Sequence, residues 1–93
     1  YHMYKDLAIS LCLEAAEVLE HFQWRNHEEV EKHIAEHKEE IGDELADVAI
    51  YVLQMADNLG IDIIKAIDHK MEKNALKYPI EKAKGRYENY TEL

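Results

Sequence analysis

The sequence has 93 residues, with 11 Lys and Arg against 20 Asp and Glu, a formal net charge of -9 and 47% hydrophobic residues. That length allows one small domain with a modest core, and the acidic balance argues against binding nucleic acid or an anionic membrane through a broad basic face. A lone Cys12 closes no internal disulfide, no apolar run reaches membrane-spanning length and no secretory signal is visible, so a reducing cytoplasm is the expected compartment.

Strand-like alternation is missing, Gly occurs three times and Pro once, and a 3.6-residue periodicity is sustained. The expected fold class is therefore all-α. Residues 1–3 are set aside as a candidate expression remnant. A first helix is predicted from about Tyr4 to Trp24, with Leu7, Leu11, Val18 and Phe22 as its apolar stripe and Ala15 and Leu19 widening it. Glu14 falls inside that stripe, about 20° from Leu7 on the helical wheel, and Glu17 flanks it. An acid there either meets a buried lysine or backbone donor, or points with Glu17, at i and i+3, as a metal-binding pair. Glu20 lies further round, toward solvent.

Arg25-Asn26-His27 breaks the pattern. Asn26 with Glu29 three residues later suits the N-terminal cap of the next helix. His27 to Glu39 is highly charged and reads as an exposed helical arm or loosely packed connection. His33 and His37, at i and i+4, are two transition-metal ligand types, although a solvated face is the commoner meaning of such spacing. The chain continues into a central helix, with an irregularity expected at Gly42. Along it Ile41, Leu45, Val48, Val52 and Met55 make an apolar face within roughly 80°. Glu40, Glu44, Asp47 and Tyr51 run along its edge. Carboxylates bordering a buried surface are unfavourable unless something positive neutralises them, and no Lys or Arg occurs between Glu39 and Gln54. A divalent cation answers that need. Ala46, Ala49, Ile50 and Leu53 make a second apolar side, which predicts an oligomer.

Gly60 suits a left-handed cap. A third helix is expected from about Asp62 to Lys77, with Ile63, Ile67 and Met71 packed inward. Lys70, Asn74 and Lys77 share nearly the same stripe, either snorkelling from the core edge or reaching substrate oxygens. Pro79 should end that helix, leaving a tail to Leu93. The whole chain reads as a single domain.

Two acid pairs carry the candidate chemistry, Glu14-x-x-Glu17 and Glu44-x-x-Asp47. If their helices pack antiparallel, the four acids converge, and hard oxygen ligands suit Mg²⁺ or Mn²⁺ better than zinc or copper. A ferritin-like iron site needs Glu-x-x-His on two helices, and none of the six histidines has a Glu three residues before it. No Gly-rich phosphate loop, HExxH helix or CxxC pair is present. What remains is metal-assisted chemistry on a phosphorylated substrate.

The segments Leu13-Glu-Ala-Ala-Glu-Val-Leu-Glu-His-Phe-Gln-Trp24, Asp43-Glu-Leu-Ala-Asp-Val-Ala-Ile-Tyr51 and Lys70-Met-Glu-Lys-Asn-Ala-Leu-Lys-Tyr-Pro79 strongly resemble the MazG-like nucleotide pyrophosphohydrolases. These belong to the all-α NTP pyrophosphatase superfamily, and Phe22-Gln-Trp24 looks most like its small dCTPase-type members. The resemblance implies Mg²⁺-dependent hydrolysis of a nucleoside triphosphate to the monophosphate and pyrophosphate. It implies Glu14, Glu17, Glu44 and Asp47 as metal ligands, with one of them, Glu40 or Glu20 orienting the attacking water. Lys70, Asn74 and Tyr78 would contact phosphates or sugar, Tyr51 would line the sugar pocket, and Phe22 and Trp24 would enclose the base or pack an interface. A homodimer with a four-helix-bundle-like core, or a tetramer of such dimers, is the implied assembly. Relatives of this type carry a further helical segment ahead of the first acidic motif. This chain has almost none, as a trimmed version of a longer protein would. The alternatives are a non-catalytic helical assembly module with a cation-filled acidic seam, and a phosphoribosyl-ATP pyrophosphohydrolase of the same superfamily.

Overall fold

A computed structural model of the chain describes residues 4–77. Three helices follow one another: α1 (Tyr4–Glu20), α2 (His27–Asn58) and α3 (Ile63–Lys77). No strand occurs among the described residues, and the all-α expectation holds. None of the described helices is long and apolar enough to cross a membrane. Tyr78, the Pro79 helix stop, the tail and residues 1–3 lie outside the described residues.

Local chemistry sets the helix boundaries. The Asn26 side chain accepts from the Glu29 amide at 2.9 Å while the Glu29 carboxylate accepts from the Asn26 amide at 3.2 Å, a reciprocal capping box at the start of α2. The end of α2 passes through Gly60 at φ 69°, a left-handed position that glycine occupies without steric penalty. Asp62 Oδ1 accepts from the Lys65 amide at 3.1 Å and caps α3.

The first helix stops four residues short of the expected Trp24. Phe22 and Gln23 both donate to the Leu19 carbonyl at 2.9 Å, and the chain turns through Trp24 at φ 67°. Arg25 covers the exposed helix end, its Nη1 donating to the carbonyls of Glu20 (2.9 Å) and His21 (2.8 Å). A cation there also opposes the negative end of the helix dipole.

Packing of α1 against α2 forms an antiparallel hairpin: the Tyr4 hydroxyl at one end donates to the Asn58 carbonyl at 3.3 Å, and His21 at the other meets His33. Among the less exposed positions are Leu7, Leu11, Glu14 and Val18 on α1 with His21 just beyond its end, and Ile41, Glu44, Val48, Tyr51 and Met55 on α2. Alternating steps of three and four are those of a coiled-coil seam. The seam of α2 extends back through His37, His33 and Val30, where the step from His37 to Ile41 is four rather than three. That extra residue is a stutter, and α2 kinks there, with His37 at φ -127°, ψ 25°.

The irregularity sits at His37 rather than Gly42, and His27 to Glu39, helical and mostly exposed, runs through that kink into the central helix. On the central helix Ile41, Val48, Val52 and Met55 are buried or half-buried as expected, and the face departs from expectation at one turn. Glu44 turns into the seam, while Leu45 is 53% exposed. Both sides of the helix are apolar, so composition alone does not say which one the hairpin partner covers.

Among described residues only Leu7, Ile41 and Ala56 are buried apolar side chains. The described residues up to Gly60 form one compact unit and those from Ile61 another. Ile63 of α3 is half-buried, whereas Ile67 and Met71, expected to pack inward, are exposed.

Candidate functional site

The seam that joins α1 and α2 contains two carboxylates where a coiled coil places apolar side chains. Glu14 and Glu44 are both half-buried, and each has a buried Oε2 without a hydrogen-bond partner. Burial pushes the Glu14 carboxyl above its ordinary value. A hydrogen bond with Glu17 and the charges of Glu17, Asp47 and Glu44 push it the same way. All four acids therefore lie in one neighbourhood of the hairpin, and no positive group counters them among the influences on Glu14. Glu17 and Asp47 are exposed at its border.

At the turn end of the seam stands a histidine cluster. His21, 8% exposed, sets its Nε2 against Glu44 Oε2, and its Nδ1 lies 2.7 Å from His33 Nε2. Glu44 Oε2 has no other polar partner. His33 stacks on His37 with centroids 4.1 Å apart and planes 17° apart. His37 Nδ1 donates to the His33 carbonyl at 3.1 Å, a side chain inserted at the kink. Burial, helped by the charges of Arg25, His37 and His21, lowers the His33 pKa, and Glu40 opposes them. His33 is thus held toward its neutral form.

The remaining expected site residues are distributed as follows. Glu40 is exposed one turn before Glu44, within electrostatic reach of His33. Tyr51 is half-buried in the seam, one turn beyond Asp47. Phe22 is half-buried, its ring edge-on to His21 at 6.4 Å. Trp24 is 91% exposed and held at a positive φ that non-glycine residues rarely adopt. Lys70 and Asn74 are exposed one turn apart on α3, and Tyr78 is outside the described residues. His21 was missed as a site residue, although it lies seven residues after Glu14 and so on the same stripe.

The donor set fits a hard divalent cation. Carboxylate oxygens are the ligands Mg²⁺ and Mn²⁺ prefer, and two buried oxygens without donors are what such an ion would satisfy. No three described His, Cys, Asp or Glu side chains are gathered into a ready-made cage. Glu14 and Glu44 are restrained by the seam, while Glu17 and Asp47, being exposed, retain rotamer freedom.

Comparison with known proteins gives a consistent result. The model of the MazG-like family matches residues 9–93. dCTP pyrophosphatase 1 of Rattus norvegicus and that of Homo sapiens are each 32% identical to this chain, over 100% of it and 56% of their own length. The chain thus spans about half the length of the curated relatives it matches. A crystal structure of a pyrophosphatase from Archaeoglobus fulgidus DSM 4304 superposes with a TM-score of 0.79 at 46% identity, covering 85% of this chain and 74% of that one.

Proposed function

Because the chain belongs to the MazG-like family, we propose that it hydrolyses a nucleoside triphosphate to the monophosphate and pyrophosphate with the help of Mg²⁺, or of Mn²⁺ in its place. The observation that carries this reading is the gathering of Glu14, Glu17, Glu44 and Asp47 about two buried oxygens that lack donors. The names of the dCTP pyrophosphatases support a deoxynucleoside triphosphate as the substrate, and the role proposed with it is control of the nucleotide pool in the cytoplasm.

In this mechanism Glu14, Glu17, Glu44 and Asp47 hold the cation. When bound, Mg²⁺ supplies positive charge to polarise phosphoryl oxygens and acidify water. The exposed carboxylates, Glu40 among them, accept a hydrogen bond from the attacking water and orient it. Lys70, Asn74 and Tyr78 bind phosphate or sugar oxygens, and Lys70 adds charge where the leaving pyrophosphate gains it. Tyr51 lines the sugar side. Phe22 and Trp24 enclose the base. A second copy of the chain completes the assembly, as a dimer or a pair of dimers, by covering the exposed Ile9, Leu13, Leu45, Ile50 and Leu53 of the hairpin.

Pyrophosphate release from a panel of canonical and modified triphosphates, with Mg²⁺ and with EDTA, tests the reaction. Metal-dependent pyrophosphate and a monophosphate are the expected products, and the best substrate identifies the pool. Intact triphosphates at high protein concentration, with Mg²⁺ still raising the melting temperature, would mark the acids as a cation-filled seam instead.

Stacking on an aromatic ring contributes about 1–3 kcal/mol per base. Trp24→Ala is therefore expected to raise KM for the preferred triphosphate about tenfold with kcat little changed. An unaltered KM in steady-state kinetics removes Trp24 from the base contact.

A further inference from the structure

The proposed reaction leaves the seam histidines without a task, yet they reach directly into the acid cluster. We infer that His21 is a positioning residue for Glu44, itself held by His33, and that this pair sets the cation affinity of the cluster before substrate arrives. The inference rests on the metal-binding reading above.

Both ring nitrogens of His21 are committed. Nε2 faces Glu44 Oε2, and Nδ1 lies 2.7 Å from His33 Nε2. A carboxylate only accepts, so the proton of a neutral imidazole belongs on Nε2. The other tautomer would set a lone pair against an anion. Nδ1 is then left to accept from His33 Nε2–H. His33 is fixed in turn, because its ring stacks on His37 at 4.1 Å and His37 Nδ1 donates to the His33 carbonyl. The chain from Glu44 to His21, His33 and His37 leaves α2, crosses to the turn that follows α1 and returns to α2 beside the kink.

The contact of His21 Nε2 with Glu44 Oε2 restrains the carboxylate, whose remaining lone pairs are left for a cation. Partners of this kind orient carboxylate ligands in metal sites generally. The histidines do not form a transition-metal site of their own. Lone pairs lie in the ring plane, and two rings stacked 17° from parallel do not aim at one ion. Nor do three described side chains around these rings form a ready-made cage.

Mn²⁺ binding to the full chain without substrate, followed by electron paramagnetic resonance, tests the inference. Loss of a second partner typically weakens metal affinity by about 10–100-fold. His21→Leu should therefore weaken Mn²⁺ binding at least about tenfold, while His21→Gln, whose amide still donates to Glu44, retains most of it. In turnover, the His21→Leu defect should be large at low Mg²⁺ and recover with excess Mg²⁺, with KM for the triphosphate unchanged. His33→Phe keeps a ring in the stack without its nitrogens, and should shift Mn²⁺ affinity in the same direction. It decides the matter if His21→Leu does not fold by circular dichroism. Wild-type affinity in folded His21→Leu or in His33→Phe overturns the inference, as does equal loss in His21→Gln and His21→Leu. A wild-type protein that binds no Mn²⁺ overturns the metal site and this inference together.

Discussion

Replacing Glu44 by Ala or Gln is expected to lower kcat/KM for the triphosphate by about a thousandfold or more, with helical content unchanged. Single preorganised groups that act on transition-state charge are worth about 10²–10³ in rate, and a ligand to the cation should exceed them. Glu44 is placed for that role because it shares the seam with Glu14 and keeps a buried oxygen without a donor. The fold should tolerate the change. Alanine is a strong helix former, and removing one of two facing carboxylates relieves repulsion across the seam. Glutamine keeps the volume while removing the charge and turning one acceptor oxygen into a donor, so the pair of variants separates packing from polar chemistry. Mn²⁺ binding should fall with turnover in both. If either variant retained turnover at wild-type levels, Glu44 would have no part in the chemistry.

How far the sequence foretold this site depends on how local each signal is. Asn26 and Gly60 were legible as caps, and Asp62 as the start of the third helix, because a helix end is decided by a few neighbouring residues: the Asn26–Glu29 exchange and the Asp62–Lys65 bond both span three positions. Glu14 was legible as a seam acid because its stripe on α1 has apolar neighbours on every turn. Glu44 was put on the border of its stripe rather than within it, because the apolar residues of α2 surround the helix and only the partner's position selects the buried side. The early end of α1 was hidden for a similar reason, since Phe22 continues the apolar pattern while Arg25 draws the carbonyls of Glu20 and His21 out of the helix. The kink at His37 follows from a spacing of four in a seam that otherwise alternates, and is visible only once the seam is known. His21 owes its meaning to Glu44 and His33, twenty-three and twelve residues away in a helix packed antiparallel to its own.

Glu14→Gln should raise the melting temperature of the metal-free protein by an amount on the order of a few degrees, while removing both turnover and stabilisation by Mg²⁺. In the wild type, burial and the acids Glu17, Asp47 and Glu44 hold the Glu14 carboxyl above its ordinary 4.5. Between 4.5 and the raised folded value, the native state binds more protons than the unfolded chain. Lowering pH through that window therefore stabilises the metal-free protein as far as Glu14 is concerned. The gain is complete below 4.5 and lost as pH rises through the folded value. Glutamine is neutral at every pH and should abolish that component of the profile. A saturating cation acts on the wild type in the opposite regime, at neutral pH, by binding the ionised native state and not the unfolded chain. On the proposed reading the acids would be a liability to the empty fold and the source of its affinity for metal, a trade between stability and function seen at many active sites. Thermal melts of both proteins in EDTA and in Mg²⁺, from pH 4.5 to 8, decide the point. A variant that melts below the wild type in EDTA would show that Glu14 is satisfied within the fold and that its burial is structural.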